Sequence, residues 1–224
     1  GTQALNSKAS ASETYSNLGL VEHGSKGVSG TPQVLSILSS VLERTIQKNE
    51  KLLKASAKKD TVTIFHGSRA PALSVQRYIE RIFKYSGCSP SSFVVAYIYI
   101  DIFLQRMDAY LTSLNVHRLL ITSAMLAAKV IDDECNNNAY YAKVGGVCTA
   151  EMNRLEMKFL FGLDFRLHVT VETFDKYCLE LEEEAKGKYQ IDRSIRVSGL
   201  RRSWTNKDES KCAPTIAGYT CRAI

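Results

Sequence analysis

Hydrophobic positions recur at helical spacing over most of residues 32–187 of this chain. The first stripe predicts an amphipathic helix over 32–53. Its members are Val34, Leu35, Leu38, Val41, Leu42 and Ile46. Similar stripes predict five further helices, at about 74–86, 90–107, 115–131, 149–165 and 170–187. Because the alternating pattern of strands is almost absent, the sequence predicts an all-α fold, in which one initial helix precedes a compact five-helix bundle.

The two ends of the chain lack this pattern. Residues 1–31 are rich in Ser, Gly, Thr and Asn, so they have little apolar surface to bury and are predicted to stay flexible. Residues 188–224 are polar and basic. We therefore expect one helical domain over 32–187, with its bundle at about 74–187, between a flexible N-terminal segment and a basic C-terminal tail.

Positive charge is concentrated in the tail rather than in the predicted domain. The whole chain carries a net charge of +6, and the tail, with eight Lys/Arg against three Asp/Glu, contributes +5 of it. The charges of residues 1–31 cancel, so the predicted domain is nearly neutral. Binding to nucleic acid requires clustered cations, and the charge distribution therefore disfavours a nucleic-acid partner.

The sequence contains no recognisable arrangement for catalysis or metal binding. The four histidines are scattered, and HExxH, GxSxG and phosphate-binding loop motifs are absent. Glu-x-x-His pairs for a carboxylate-bridged metal site are absent as well. The acidic run at 132–134 is better explained as a solvated helix end than as a metal site. We therefore expect no catalytic residues, no cofactor and no metal.

Cysteine spacing and hydropathy bear on the compartment. The six cysteines form no CxxC pair, which favours reduced thiols over disulfides. No apolar stretch approaches the ~20 residues needed to span a bilayer, and the N-terminus lacks an apolar signal core. The expectation is a soluble intracellular protein without a membrane partner.

One residue is unusual for a buried helix. Lys129 interrupts the apolar run LLITSAMLAAKVIDDE, near the predicted helix end. It could extend its amine to water, where the exposed carbonyls of a last turn favour a cation. Alternatively, it could pair with Glu156 of the next helix, so that both grip the backbone of another chain. Exposed apolar residues would then supply most of the affinity, namely Val130, Leu160, Phe165 and Leu167.

Several segments together resemble the cyclin box, over about 74–181. The segment AYIYIDIFLQRM is similar to the second box helix, LLITSAMLAAKVIDDE to the third and EMNRLEMKFLFGLDF to the fourth. The segment NNNAYYAKVGG, which precedes that fourth helix, is similar to the single-box P-type or U-type cyclins of plants and the phosphate-signalling cyclins of fungi.

The resemblance implies a regulatory subunit without catalysis of its own. It implies binding to a cyclin-dependent protein kinase, whose mobile small-lobe helix would contact Lys129 and Glu156. Val130, Leu160 and Phe165 fall where family members pack against that helix. We therefore expect activation of a kinase in the nucleus or cytoplasm, with the kinase's protein substrates as further partners. The sequence does not distinguish a cell-cycle role from phosphate signalling.

One position departs from the family signature Tyr-Ile-Asp-Arg-Phe, since Ile102 replaces its arginine. In the family the preceding aspartate pairs with an arginine of the first box helix. The resemblance therefore implies a structural ion pair between Asp101 and Arg81 or Arg77. Two other function classes stay open: a nucleic-acid-binding, cyclin-like domain of a transcription factor, and an enzyme built on a helical bundle.

Overall fold

The computed structural model of the protein describes residues 11–21, 30–56 and 60–187. Within these ranges the chain forms eight α-helices and no β-strand, which confirms the predicted all-α fold. The helices are α1 (11–18), α2 (Gln33–Ala55), α3 (Val75–Ser86), α4 (Pro90–Met107), α5 (Val116–Ile131), α6 (Asn138–Gly145), α7 (Thr149–Leu163) and α8 (Val171–Ala185). The predicted basic tail lies outside the described residues. No helix in the described ranges is long and apolar enough to cross a membrane.

Helix α4 lies at the centre of the bundle. It packs against α2, α5, α7 and α8, and every residue from Ser92 to Ile100 is buried. The helix begins where the Ser89 side chain accepts a hydrogen bond from the Ser92 N–H, with Pro90 in the first turn. The apolar side chains on all sides of α4 are therefore buried by the neighbouring helices.

Three phenylalanines fill the space between α4, α7 and the loop that precedes α3. Phe103 and Phe159 are stacked with ring centroids 4.7 Å apart, and Phe65 meets Phe103 edge to face at 5.1 Å. All three side chains are fully buried. They hold α7 against the central helix, and α7 carries half of the candidate site described below.

The described part of the N-terminal segment differs from the sequence prediction. Residues 11–18 form helix α1, which packs on α8 instead of remaining loosely attached. The Thr14 hydroxyl donates to one Glu182 oxygen and the Asn17 amide to the other, both at 2.7 Å, and Tyr15 donates to Asp175. Only Leu18 adds a fully buried apolar side chain. Its apolar contacts are few, chiefly Leu18 and the Tyr15 ring against Phe174, so the segment lacks an apolar stripe that sequence analysis could detect.

Replacing Glu182 with Gln is expected to lower the free energy of unfolding at neutral pH, and to lower it by a smaller amount at acidic pH. The Lys186 ammonium, helped by donors on Asn17 and Thr14, holds the pKa of the Glu182 carboxyl at about 2, below the ordinary 4.5. The resulting stabilisation is complete above pH 4.5 and is lost as the pH falls toward 2. Urea unfolding at pH 7 and pH 3 measures both values. If Glu182→Gln lowered the free energy of unfolding equally at pH 7 and pH 3, the ionised Glu182 carboxylate would not be the source of the stabilisation.

Candidate functional site

The two residues singled out by the sequence meet where the end of α5 packs on α7. Lys129 lies in the last turn of α5, and its Nζ is 2.7 Å from Oε1 of Glu156. Small residues on the buried side of α5 allow the close approach of its neighbours, since Ser123, Ala124 and Ala127 are fully buried. Lys129 is therefore a last-turn cation that is also paired with Glu156, and the grip on another chain stays a prediction.

An asparagine that the sequence analysis did not single out completes this pair. Asn138, the first residue of α6, accepts a hydrogen bond from Lys129 through its Oδ1. Its Nδ2 donates to Oε2 of Glu156 at 2.6 Å and to Oδ1 of Asn153 at 2.8 Å. One amide thus contacts both charged groups, which restricts their orientations before any partner arrives.

The charged pair remains accessible to a partner. The Lys129 side chain is 28% exposed and that of Glu156 is 17% exposed. A pair at this depth contributes less than about 1 kcal/mol to folding. It would become stronger under a partner that excludes water, since the local dielectric constant then falls. The pair is thus better suited to binding than to holding the fold together.

Accessible apolar side chains lie on the same elements as the pair, on α5, on α7 and in the segment that follows α7. Val130 is 43% exposed and Phe165 is 54% exposed, while Leu160 and Leu167 are half-buried and pack against the core. The structure adds Phe161, which is 64% exposed and meets Phe165 edge to face at 5.1 Å. We call these seven residues the α5–α7 surface: Lys129, Val130, Glu156, Leu160, Phe161, Phe165 and Leu167.

The position of Phe165 depends on a tight turn after α7. Asp164 and Phe165 have φ angles of 57° and 56°, the left-handed region that non-glycine residues seldom adopt. The Phe165 N–H donates to the Leu160 carbonyl at 2.9 Å, and Arg106 donates through Nη1 to the Leu163 carbonyl at 2.8 Å. These contacts satisfy the end of the helix and leave the Phe165 ring at the surface.

An apolar groove of about 410 Å³ continues from this surface toward α8. Val130, Ile131, Leu167, Val171 and Phe174 are among the residues that line it. The Tyr99 hydroxyl donates to the Leu167 carbonyl at 2.6 Å and so attaches the segment before α8 to the central helix. The groove extends the accessible apolar area beyond the residues that the sequence predicted.

The predicted ion pair of Asp101 with Arg81 or Arg77 needs correction. Asp101 instead accepts the hydroxyl proton of Tyr177 in α8 at 2.6 Å. Arg81 donates through Nε to the Val144 carbonyl at 2.8 Å, and Arg77 is exposed on α3. The reason is packing, because α3 lies mainly against α2, α5 and α6, whereas this part of α4 faces α8.

The acidic run at 132–134 also has a more specific role than a solvated helix end. Asp132 accepts hydrogen bonds from the Ser89 hydroxyl at 2.6 Å, the Ser89 N–H at 3.2 Å and the Ser92 hydroxyl at 2.8 Å. It therefore ties the end of α5 to the start of α4. Among the described residues no cluster of His, Cys, Asp and Glu is suited to hold a metal ion.

Comparisons with known proteins agree with this architecture. The sequence model of the family described as Cyclin matches residues 32–167. Cyclin-P3-1 of Oryza sativa subsp. japonica is 48% identical over 230 residues, covering 100% of this chain and 97% of that protein. Cyclin-U3-1 of Arabidopsis thaliana is 49% identical over 211 residues, covering 92% and 94%, and Cyclin-U4-1 of the same plant is 52% identical over 153 residues, covering 68% and 76%. The resemblance to P-type and U-type cyclins is confirmed, and the chain belongs to the cyclin family.

Proposed function

We propose that this chain binds a cyclin-dependent protein kinase and activates it by docking on the mobile helix of the kinase's small lobe. The observation that carries the proposal is the α5–α7 surface, where the Lys129–Glu156 pair joins two helices that also carry accessible apolar side chains. Apolar contact would supply affinity, and the pair would fix the register of the bound helix. The nucleus or the cytoplasm is the proposed location.

The proposed mechanism is a shift in the conformational population of the kinase. A kinase positions ATP only when a strand lysine pairs with a glutamate on its mobile helix. A partner that binds only the inward position of that helix favours the active state. Moving the ratio of active to inactive kinase from 1:99 to 99:1 requires about 5.5 kcal/mol of differential binding. An interface on the order of 2,000 Å² could supply this free energy.

Activation of a purified kinase tests the proposal. A panel of cyclin-dependent kinases, each without its own cyclin, would be titrated with this chain while phosphorylation of a peptide substrate is followed. At least one kinase should show a saturable rise in kcat/KM that approaches about a hundredfold. If folded chain activates no kinase of the panel but shifts duplex DNA in a gel, the nucleic-acid alternative would be favoured.

A further inference from the structure

A third element, α6, places one side chain against both members of the Lys129–Glu156 pair. Its first residue, Asn138, accepts a hydrogen bond from Lys129 Nζ through Oδ1 and donates through Nδ2 to Glu156 Oε2 at 2.6 Å. The direct contact of the two charged groups, at 2.7 Å, closes a ring of three side chains from α5, α6 and α7. The geometry of the pair is therefore set by three elements and not by two.

The two charges determine which way the Asn138 amide points. An ammonium group needs an acceptor and a carboxylate needs a donor, so the amide carbonyl faces Lys129 and the NH2 group faces Glu156. The reverse orientation would place the NH2 group against an ammonium group that offers only donors. Nδ2 also donates to Asn153 Oδ1 at 2.8 Å, on the turn of α7 before Glu156. These bonds favour a single orientation of the amide.

Contacts outside the pair hold Asn138 in place. The Asn137 side chain caps the start of α6, and Asn136 donates through Nδ2 to the Ser86 carbonyl at 2.9 Å. The Tyr141 side chain, one turn into α6, is fully buried in the core. The start of α6 is thus attached to the end of α3 and to the core. The position of Asn138 therefore does not depend on the charged pair that it bridges.

The bridge orders the pair and leaves part of it available for a partner. Of the three N–H donors of Lys129, two are directed to Glu156 and Asn138 among the described residues. Each Glu156 oxygen accepts one of the hydrogen bonds already described and keeps a lone pair. Without the bridge, the partly exposed Lys129 side chain would regain rotamer freedom. A partner would then have to order it again, at a cost in affinity.

We infer that Asn138 is a positioning residue for kinase binding, which holds the Lys129 ammonium and the Glu156 carboxylate in the geometry that a kinase receives. The inference rests on the proposed function, because it names a residue that regulates affinity at that same surface. Asn138 acts through the pair and needs no contact with the kinase. Affinity would thus depend on α6, an element that supplies none of the residues of the α5–α7 surface.

An isosteric change at Asn138 tests the inference. Asn138→Asp keeps an acceptor for Lys129 but replaces the donor to Glu156 with a second carboxylate, which repels the first. Calorimetric titration with a purified cyclin-dependent kinase should show an affinity about tenfold lower or less. Asn137→Asp is the matched control, since it adds the same charge one residue earlier and Asp caps a helix as well as Asn does. It should leave the affinity within about twofold.

A second measurement uses the chain without a kinase. The ammonium protons of Lys129 exchange with water, and NMR of the chain with labelled lysine measures the exchange rate. Hydrogen bonding slows this exchange, so Asn138→Ala should raise the rate at Lys129 by about tenfold. Lys176 of α8 is the internal reference, because its rate should not change. A residue that merely stabilised the fold would not change the rate at Lys129 alone.

Three results would overturn the inference. The first is equal kinase affinity of Asn138→Asp and Asn137→Asp, which would leave the proposed function intact. The second is an unchanged exchange rate at Lys129 in Asn138→Ala. The third is a further tenfold loss from Asn138→Asp in the Lys129→Ala/Glu156→Ala background, since Asn138 would then not act through the pair. If the parent chain bound no kinase, the proposed function would fail, and the exchange rate at Lys129 would decide whether Asn138 positions the pair.

Discussion

Kinase affinity is expected to fall by at least about a hundredfold in the double variant Lys129→Ala/Glu156→Ala. Truncating one partner of a desolvated, hydrogen-bonded charge pair at an interface costs about 2–5 kcal/mol. In the chain alone the same pair is partly exposed, so its removal should change the free energy of unfolding by less than about 1 kcal/mol. Calorimetric titration with a purified kinase and urea unfolding measure the two quantities separately.

A matched pair elsewhere provides the control for this variant. Lys176 and Glu180 form an i,i+4 pair on α8, with Nζ 3.9 Å from Oε1 and side chains 51% and 23% exposed. Lys176→Ala/Glu180→Ala removes the same two charges from outside the α5–α7 surface and should leave kinase affinity within about twofold. If both double variants bind the kinase equally well, the Lys129–Glu156 pair does not contact it.

The second large effect is on stability, at Gly162 in α7. Replacing glycine with alanine inside a helix ordinarily stabilises by about 1 kcal/mol. Here a Cβ would lie 2.3 Å from Cε2 and 2.5 Å from Cδ2 of Phe103. That ring is fully buried, stacked on Phe159 and in contact with Phe65, so it has no space to move into. We expect Gly162→Ala to lower the free energy of unfolding by about 2 kcal/mol or more.

Urea unfolding measures this change, and a second variant tests its cause. Phe103→Leu removes Cε2, the ring atom that would lie nearest to the new methyl group, and leaves a smaller side chain that can move aside. In a double-mutant cycle, Gly162→Ala should therefore cost less in the Phe103→Leu background than in the parent chain. A neutral or stabilising Gly162→Ala would show that α7 and α4 do not approach as closely as the structure describes.

Much of the helical framework was predictable because its signals are local. Ser74, Ser89 and Thr170 each cap the helix that follows them, and apolar stripes mark the buried faces. The Lys129–Glu156 contact could also be predicted from the sequence. Lys129 interrupts the apolar stripe of one helix and Glu156 borders that of another, and these two helices are consecutive in the cyclin box. Local spacing and family resemblance were sufficient for these features.

Other features depend on contacts between distant residues. Asn138 joins Lys129 and Glu156 across 9 and 18 positions, and nothing in its local sequence indicates that role. Phe65 is a single aromatic residue in a polar loop, yet it is fully buried against Phe103. Asp101 meets Tyr177, 76 residues away, rather than an arginine. Such partners are set by how the helices pack, which one sequence does not determine.

The central claim is that a kinase helix lies on the α5–α7 surface. Photo-crosslinking tests this most directly, with benzoylphenylalanine introduced at Phe161 or, as the control, at Tyr85, an exposed aromatic residue of α3. With a bound cyclin-dependent kinase, position 161 should crosslink to the mobile helix of the small lobe, and position 85 should not. Crosslinks from position 161 to another part of the kinase, or equal crosslinking of that helix from both positions, would contradict the account.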